Sequence, residues 1–228
     1  MYILFEGIDT CGKTTQIELI AEKFPNAIIT KEPGGTAFGK HAREILLNDS
    51  LSSKRAELLL FLADRAEHYA EIVKPNIDKL VLSDRGFLSG IGYALANGDF
   101  EFEHLLELNK FALEDTFPDL IILFETTMET LTERTSKEEK VLDGIELRGL
   151  EYLISVQKHM KESLEKLDIP YLLVDATDSI ENIQESIFER VNAFTILKLI
   201  SLSEEDIKNE NLHTQEDVFN SIEKLLNE

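Results

Sequence analysis

The stretch YILFEGIDTCGKTT, residues 2–15, constrains the fold more than any other part of this chain. MYILFE (1–6) reads as a short buried strand, and it runs straight into the pattern G-x-x-x-x-G-K-T from Gly7 to Thr14. KTTQIELIAEKF (13–24) then carries the apolar stripe of a helix. A strand, a glycine loop and a helix N-terminus in that order make a phosphate cradle. Gly7 and Gly12 let the backbone curl so that successive N–H groups point inward. The helix adds its partial positive charge. Lys13 reaches toward the β- and γ-phosphates, and the Thr14 hydroxyl can ligate Mg²⁺. The nucleotide-binding residues are therefore Gly7, Ile8, Asp9, Thr10, Cys11, Gly12, Lys13, Thr14 and Thr15. Asp9 is repelled by phosphate and should point away from it, toward a hydroxyl or metal on the far side; the alternative is a helix-start acid favoured by the dipole. Cys11 reads as a spectator.

Such a loop needs a parallel sheet around it, and the remaining sequence supplies one. Apolar strands are expected at 26–30, 79–85, 119–125 and 170–176. Helices are expected at 37–48, 53–75 (closed by Pro75), 101–115, 127–135, 148–167 and 179–194. Strands of this kind separated by helices indicate a three-layer α/β/α fold with a five-stranded parallel sheet and right-handed crossovers. EPGGT (32–36) is a turn-rich loop. The polar segment SKEEKVLDGIEL reads as a mobile lid, at about 135–148. Residues 1–194 form the P-loop domain, and 195–228 an acidic C-terminal extension of two short helices, the second with Thr214 as N-cap and Asp217 three positions on.

Length and charge narrow the function. The 228 residues suit one large α/β domain. The formal net charge of −21 argues against a nucleic-acid surface and serves solubility. No run of eighteen apolar residues suggests a membrane span, and the first residues lack the features of a signal peptide. A single cysteine suits a reducing cytoplasm.

A phosphate loop alone does not say where the phosphoryl group goes. The base-reading N-K-x-D motif of switch GTPases is missing, since Phe111 and Ala112 follow Asn109-Lys110. Arginines stand instead where an acceptor could lie. Arg65 follows Phe61 by one helical turn, Asp84-Arg85 ends a strand at the ligand-binding edge of an open sheet, and Arg43 follows the glycine loop. The arginine fork bonds phosphate in pairs. A phosphate acceptor beside a phosphate donor describes a nucleoside monophosphate kinase.

The segments FEGIDTCGKTTQ, KEPGGT, AREILL, FLADRAEH, SDR with Ser89 and Tyr93 following, and DGIE before a long helix resemble the bacterial thymidylate kinase family in order and spacing, over residues 1 to about 192. The resemblance implies phosphorylation of dTMP to dTDP with Mg-ATP, in dTTP biosynthesis, by direct in-line transfer in a cytoplasmic homodimer with no nucleic-acid or membrane partner. It implies that Phe61 stacks on thymine and that Arg65 contacts the base or the acceptor phosphate. Arg43 and Arg85 would hold that phosphate, and Asp9 would face the 3′-hydroxyl. Glu32 would line the site, Tyr93 would disfavour a 2′-hydroxyl with Ser89 nearby, and Asp84 would order Mg²⁺ and its water. Each residue has a plainer alternative: Phe61 or Tyr93 as core, Arg65 paired with Asp64 or Glu57 on the helix surface, Glu32 as a loop acid. His68 reads as a structural hydrogen-bonder.

The loop offers only Lys13 as a charge for the transferring group, so the resemblance assigns the missing arginine to the lid, with Arg134 and Arg148 the candidates and Lys137 and Lys140 weaker ones. Several positions depart from the family pattern: Lys31, Gly86, Gly90, Ala94 and Gly144. The smaller pocket floor leaves a related acceptor open, and a nucleotide-binding regulator with an acidic tail is the reading from another class.

Overall fold

A computed structural model describes residues 1–48, 51–137 and 148–208. Five strands, β1 (Tyr2–Glu6), β2 (Ile28–Lys31), β3 (Val81–Asp84), β4 (Leu120–Glu125) and β5 (Tyr171–Asp175), form one parallel sheet in the order β2-β3-β1-β4-β5. Around it lie α1 (Lys13–Ala21), α2 (Ala37–Asn48), α3 (Lys54–His68), α4 (Phe87–Ala96), α5 (Phe102–Ala112), α6 (Met128–Lys137), α7 (Leu150–Leu164) and α8 (Ile180–Lys208). The expected three-layer α/β/α fold is observed.

The layering follows from the period-two alternation of β1, which is buried along its whole length. Tyr2 and Leu4 face one core with Leu88 and Ile91 of α4 and Leu153 and Val156 of α7. Ile3 and Phe5 face the other, with Ile17 and Ile20 of α1 and Ile187 and Val191 of α8. Each such side chain withdrawn from water is worth roughly 1.5–3 kcal/mol. Because β1 is central, its C-terminal end delivers the phosphate loop to the middle of the sheet edge, beside the end of β3.

Three elements differ from the expectation. Helix α4 is absent from it. Phe87 through Ala94 are all buried, and a helix apolar all round belongs in a core rather than on a surface. A Cβ on Gly92 would stand 2.5 Å from Met160 Cγ, so this glycine lets α7 pack directly against α4. The helix expected at 53–75 is capped by Ser53, whose Oγ accepts from Ala56 N at 3.3 Å. It is α-helical only to His68, then widens into a π turn (Tyr69–Val73) and tightens into a 3₁₀ turn (Lys74–Asn76) at Pro75. The break expected near 194 does not occur: α8 continues to Lys208, since no glycine or proline interrupts residues 195–208. Lys198 on this continuation pairs with Asp119, just before β4, at 3.0 Å. The Thr214 cap, Lys140 and Gly144 lie outside the described residues.

Candidate active site

The loop leaving β1 is shaped as its sequence requires. Gly7 has φ +146°, and a Cβ there would meet both Cys11 Sγ and the carbonyl oxygen of Phe124 at 2.9 Å. Gly12, with φ +92°, caps α1. Lys13 lies back across the loop, donating to Ile8 O at 2.7 Å and to Cys11 Sγ at 3.6 Å. Strand β3 neighbours β1, with Phe5 opposite Asp84, and this register brings Asp84 Oδ2 to 2.8 Å from the Thr14 hydroxyl. Hydroxyl and carboxylate oxygens side by side suit a hard cation such as Mg²⁺. Among the described residues no cluster of three or more His, Cys, Asp and Glu could hold a metal. A cation here therefore needs further oxygens from the phosphates and water.

Beside the loop lies a cleft walled by residues from six parts of the chain. Asp9 comes from the phosphate loop, Glu32 from the turn after β2, Arg43 from α2, Phe61 and Arg65 from α3, Arg85 from the end of β3, and Ser89 and Tyr93 from α4. Every residue expected around the acceptor thus lines one cavity. Arg85, at φ +70°, is held at its centre. It donates to Gly7 O at 2.6 Å, to Ser89 Oγ at 3.2 Å and to Asp9 Oδ1 at 2.7 Å. Burial opposes its charge, but Asp9 and its other acidic neighbours raise its pKa well above the usual arginine range. Ser89 in turn donates to Glu6 through a very short bond. Glu6 was not singled out from the sequence; its signal is an acid at the end of a wholly apolar central strand. Burial pushes its carboxyl pKa up, partly offset by Ser89 and Arg85.

Arg65 pairs with neither Asp64 nor Glu57. It is 2 % exposed and donates to Glu32 Oε2 at 2.9 Å, Asn109 Oδ1 at 2.7 Å and Gly86 O at 2.9 Å. Glu32 is more than a loop acid. Burial raises its pKa, but the Arg65 charge and His68 outweigh that and leave the carboxyl below its ordinary value. His68 bridges Glu32 Oε1 at 2.9 Å and Thr30 Oγ1 at 2.6 Å, the structural role expected of it. Asn109 was read from the sequence only as part of a failed N-K-x-D match and not as a site residue, because a lone amide on an amphipathic helix carries no distinguishing signal. Phe61 is half-buried on the cleft wall rather than in the core. Tyr93 belongs to both, 8 % exposed, with the Arg85 guanidinium 6.0 Å from its ring centroid.

A phosphate loop opening onto an arginine-walled cleft is the geometry of a monophosphate kinase, and the comparison with known proteins decides which. The model of the family described as thymidylate kinase matches residues 5–187. The chain belongs to the thymidylate kinase family. It is 74 % identical over 187 residues to the thymidylate kinase of Sulfurovum sp. (strain NBC37-1), covering 82 % of this chain and 97 % of that protein. It is 57 % identical over 194 residues to that of Campylobacter concisus (84 % and 99 %), and 50 % identical over 192 residues to that of Sulfurimonas denitrificans (84 % and 100 %). The matches use nearly all of each relative, so this thymidylate kinase family chain is longer than all three.

Arg134 and Arg148, the two arginines expected to serve the lid, have different surroundings. Arg134, on α6, donates to Thr10 O in the phosphate loop at 3.0 Å and to Ala176 O after β5 at 2.5 Å. Arg148 donates to both carboxylate oxygens of Glu57 on α3 at 3.1 and 3.0 Å, to Tyr152 Oη at 2.9 Å and to Asn97 Oδ1 at 3.2 Å. Arg134 therefore touches the phosphate loop, whereas the bonds of Arg148 fasten the chain just before α7 to α3 and to the end of α4. A second groove, walled by Asp9, Thr10, Leu131, Thr135, Leu150 and Leu153 among others, runs between the phosphate loop and helices α6 and α7.

Proposed function

We propose that this chain transfers the γ-phosphoryl group of Mg-ATP to the 5′-phosphate of dTMP, yielding dTDP and ADP in dTTP biosynthesis. The observation that carries the reading is the convergence of Asp9, Glu32, Arg43, Phe61, Arg65, Arg85, Ser89 and Tyr93 on one cleft that shares Asp9 with the phosphate loop. A monophosphate oxygen is already a nucleophile, so the protein's task is alignment and charge neutralisation. Residues 7–15 hold the ATP phosphates, with Lys13 swinging from Ile8 O onto the β- and γ-oxygens. Thr14 would hold Mg²⁺ directly and Asp84 would hold it through water, and the ion would supply further charge neutralisation at the phosphates.

On the acceptor side, Arg85 and Arg43 hold the dTMP phosphate. Phe61 stacks on the base, Arg65 donates to it, and Asp9 faces the 3′-hydroxyl. Tyr93 closes the sugar edge, with Ser89 beneath. Arg134 is the better candidate for the lid charge, because its guanidinium already reaches the loop. A homodimer is supported by Leu59 of α3 and Leu108 and Phe111 of α5, exposed at 60 %, 39 % and 87 % on neighbouring helices. A cytoplasmic site of action is supported by the single cysteine, and the absence of a nucleic-acid partner by the charge of −21. No described helix is long and apolar enough to cross a membrane.

The test is ADP release from Mg-ATP with dTMP, dUMP, UMP, dCMP, dGMP or thymidine, and with no acceptor. Strong preference for dTMP is the expected result. ADP release indifferent to every acceptor would refute the proposal.

A further inference from the structure

Arg148 stands where the chain enters α7, and its guanidinium joins three helices. Nη2 donates to Oε1 and Oε2 of Glu57 on α3 at 3.1 and 3.0 Å. Nη1 donates to Tyr152 Oη on α7 at 2.9 Å and to Asn97 Oδ1, directly after α4, at 3.2 Å. The Tyr152 hydroxyl in turn donates to Asn97 Oδ1 at 3.1 Å. Lys54 adds a third charge, donating to Glu57 Oε2 at 2.9 Å. The Arg148 and Glu57 side chains are 24 % and 11 % exposed, so solvent screens this pair less than a surface pair. Burial raises the Glu57 pKa, but Lys54 and Arg148 outweigh it and leave the carboxyl below its ordinary range.

This clasp lies one helical turn from the cleft beside the phosphate loop. Glu57 stands four residues before Phe61 on α3, and Asn97 four residues after Tyr93. Each polar anchor therefore shares a helix face with an aromatic wall of the cleft. Tyr152 also meets Tyr93 ring to ring, with centroids 6.3 Å apart. Between the two walls the packing is incomplete. A small cavity lined by Lys54, Glu57, Phe61, Gly90, Tyr93 and Asn97, among others, lies between α3 and α4, and Gly90 has no side chain to fill it. Direct contact alone does not fix the distance from Phe61 to Tyr93, and the bonds of Arg148 span the gap.

We propose that Arg148 and Glu57 are positioning residues for the acceptor: their ion pair sets the width of the slot between Phe61 and Tyr93, and with it the grip on the base and the exclusion of a 2′-hydroxyl at the sugar. The proposal rests on the reading of this cleft as the dTMP site. It assigns Arg148 to holding the acceptor rather than to the transferring phosphoryl group. A slot that loosens weakens the bound substrate and its transition state alike, so the loss falls on KM more than on kcat. Lysine is a poor replacement, because a single ammonium lacks the rigid fork that faces Glu57 with one prong and Tyr152 and Asn97 with the other.

The experiment measures kcat and KM for dTMP, ribothymidine 5′-monophosphate and ATP, well below the Tm of each protein. The proteins are wild type, Glu57→Gln, Arg148→Gln, Arg148→Lys and the double variant Glu57→Gln/Arg148→Gln. Each glutamine variant should raise KM for dTMP about tenfold and lower the preference for dTMP over the ribonucleotide about tenfold in kcat/KM, with KM for ATP unchanged. Arg148→Lys should recover only part of the loss. The double variant should be no worse than either single one, because both break the same clasp. Single variants with unaltered KM for dTMP and unaltered preference, or effects that add in the double variant, would overturn the proposal. A fall of about a hundredfold in kcat for Arg148→Gln with KM for dTMP unmoved would also overturn it, by placing Arg148 on the transferring group. Either result leaves the kinase reading intact, whereas a wild type that does not phosphorylate dTMP overturns both.

Discussion

Replacing Glu32 by glutamine should be the most damaging single-atom change in the cleft beside the phosphate loop. Glu32 is 3 % exposed and Arg65 2 %, and the 2.9 Å bond between them is the only carboxylate contact found for this guanidinium among the described residues. Glutamine keeps the shape and still offers an oxygen to Arg65 Nε. Its amide can donate to His68 Nδ1 if the imidazole carries its proton on Nε2, toward Thr30. Hydrogen bonding therefore survives and only the charge is lost, so the variant isolates one term. A buried charge deprived of its partner costs about 3–5 kcal/mol, a large share of the roughly 5–15 kcal/mol that holds a domain folded.

With a urea m-value near 2 kcal/mol/M, the midpoint at pH 7.5 should fall by about 2 M with m unchanged. The folded-state pKa of Glu32 lies below its ordinary value, so its stabilisation is present above the unfolded pKa and is lost as pH falls through the folded one. The gap between wild type and variant should accordingly narrow in acid. Glu114→Gln is the control, because the Lys74–Glu114 pair is more than half exposed at both ends and its loss should leave the midpoint where it was. If Glu32→Gln moves the midpoint no more than that control does, the Glu32–Arg65 pair does not stabilise the site.

Asp64 should behave in the opposite sense. Burial, with Glu32 nearby, pushes its carboxyl up to about 6, so folding is penalised progressively as pH rises from about 4 to 6, and Asp64→Asn should gain up to about 3 kcal/mol at pH 7.5 and little at pH 4 in the same unfolding assay. Gly7→Ala should abolish ATP binding by calorimetry and lower Tm, since the added Cβ collides with the backbone oxygen of Phe124. Asp84→Asn should raise the Mg²⁺ concentration for half-maximal activity about 10–100-fold, read from a metal titration at fixed ATP. Arg134→Ala should lower kcat about a hundredfold while Arg148→Ala changes kcat within about threefold and instead lowers Tm; the reverse pattern would move the lid charge to Arg148.

What the sequence disclosed and what it hid follow different physics. The phosphate loop was legible because glycine at φ +146° and +92° is a local requirement, written at a fixed spacing. The gathering of Arg43, Arg65 and Arg85 on one cleft was legible because charges at strand ends and on helix faces must have a reason. Helix α4 was hidden by Gly86, Gly90 and Gly92, which weaken the local preference for helix that tertiary burial then overrides. Glu6, Asn109 and the Glu57 partner of Arg148 were hidden because each acts through a residue distant in sequence. The continuation of α8 past 194 was legible in the missing glycine and proline, yet the change in composition there suggested a boundary that the backbone does not make.

The hydrogen bonds within the site also explain how an acidic chain keeps cations ready for anionic substrates. Lys13 rests on Ile8 O, Arg43 on Pro33 O at 3.1 Å, and Arg85 on Gly7 O and Asp9. Most of these resting partners are neutral backbone carbonyls within the loops that the substrates enter. An anionic phosphate oxygen is a stronger acceptor than a carbonyl, roughly by a factor of two in hydrogen-bond strength, so exchange runs toward the ligand without any group having been left unsatisfied beforehand. Arg65 is the exception. Its partners include the buried carboxylate of Glu32, a stronger acceptor than a backbone carbonyl, which holds the guanidinium in place. The cations proposed to receive phosphate are parked on exchangeable acceptors, whereas Arg65 is locked by a permanent one.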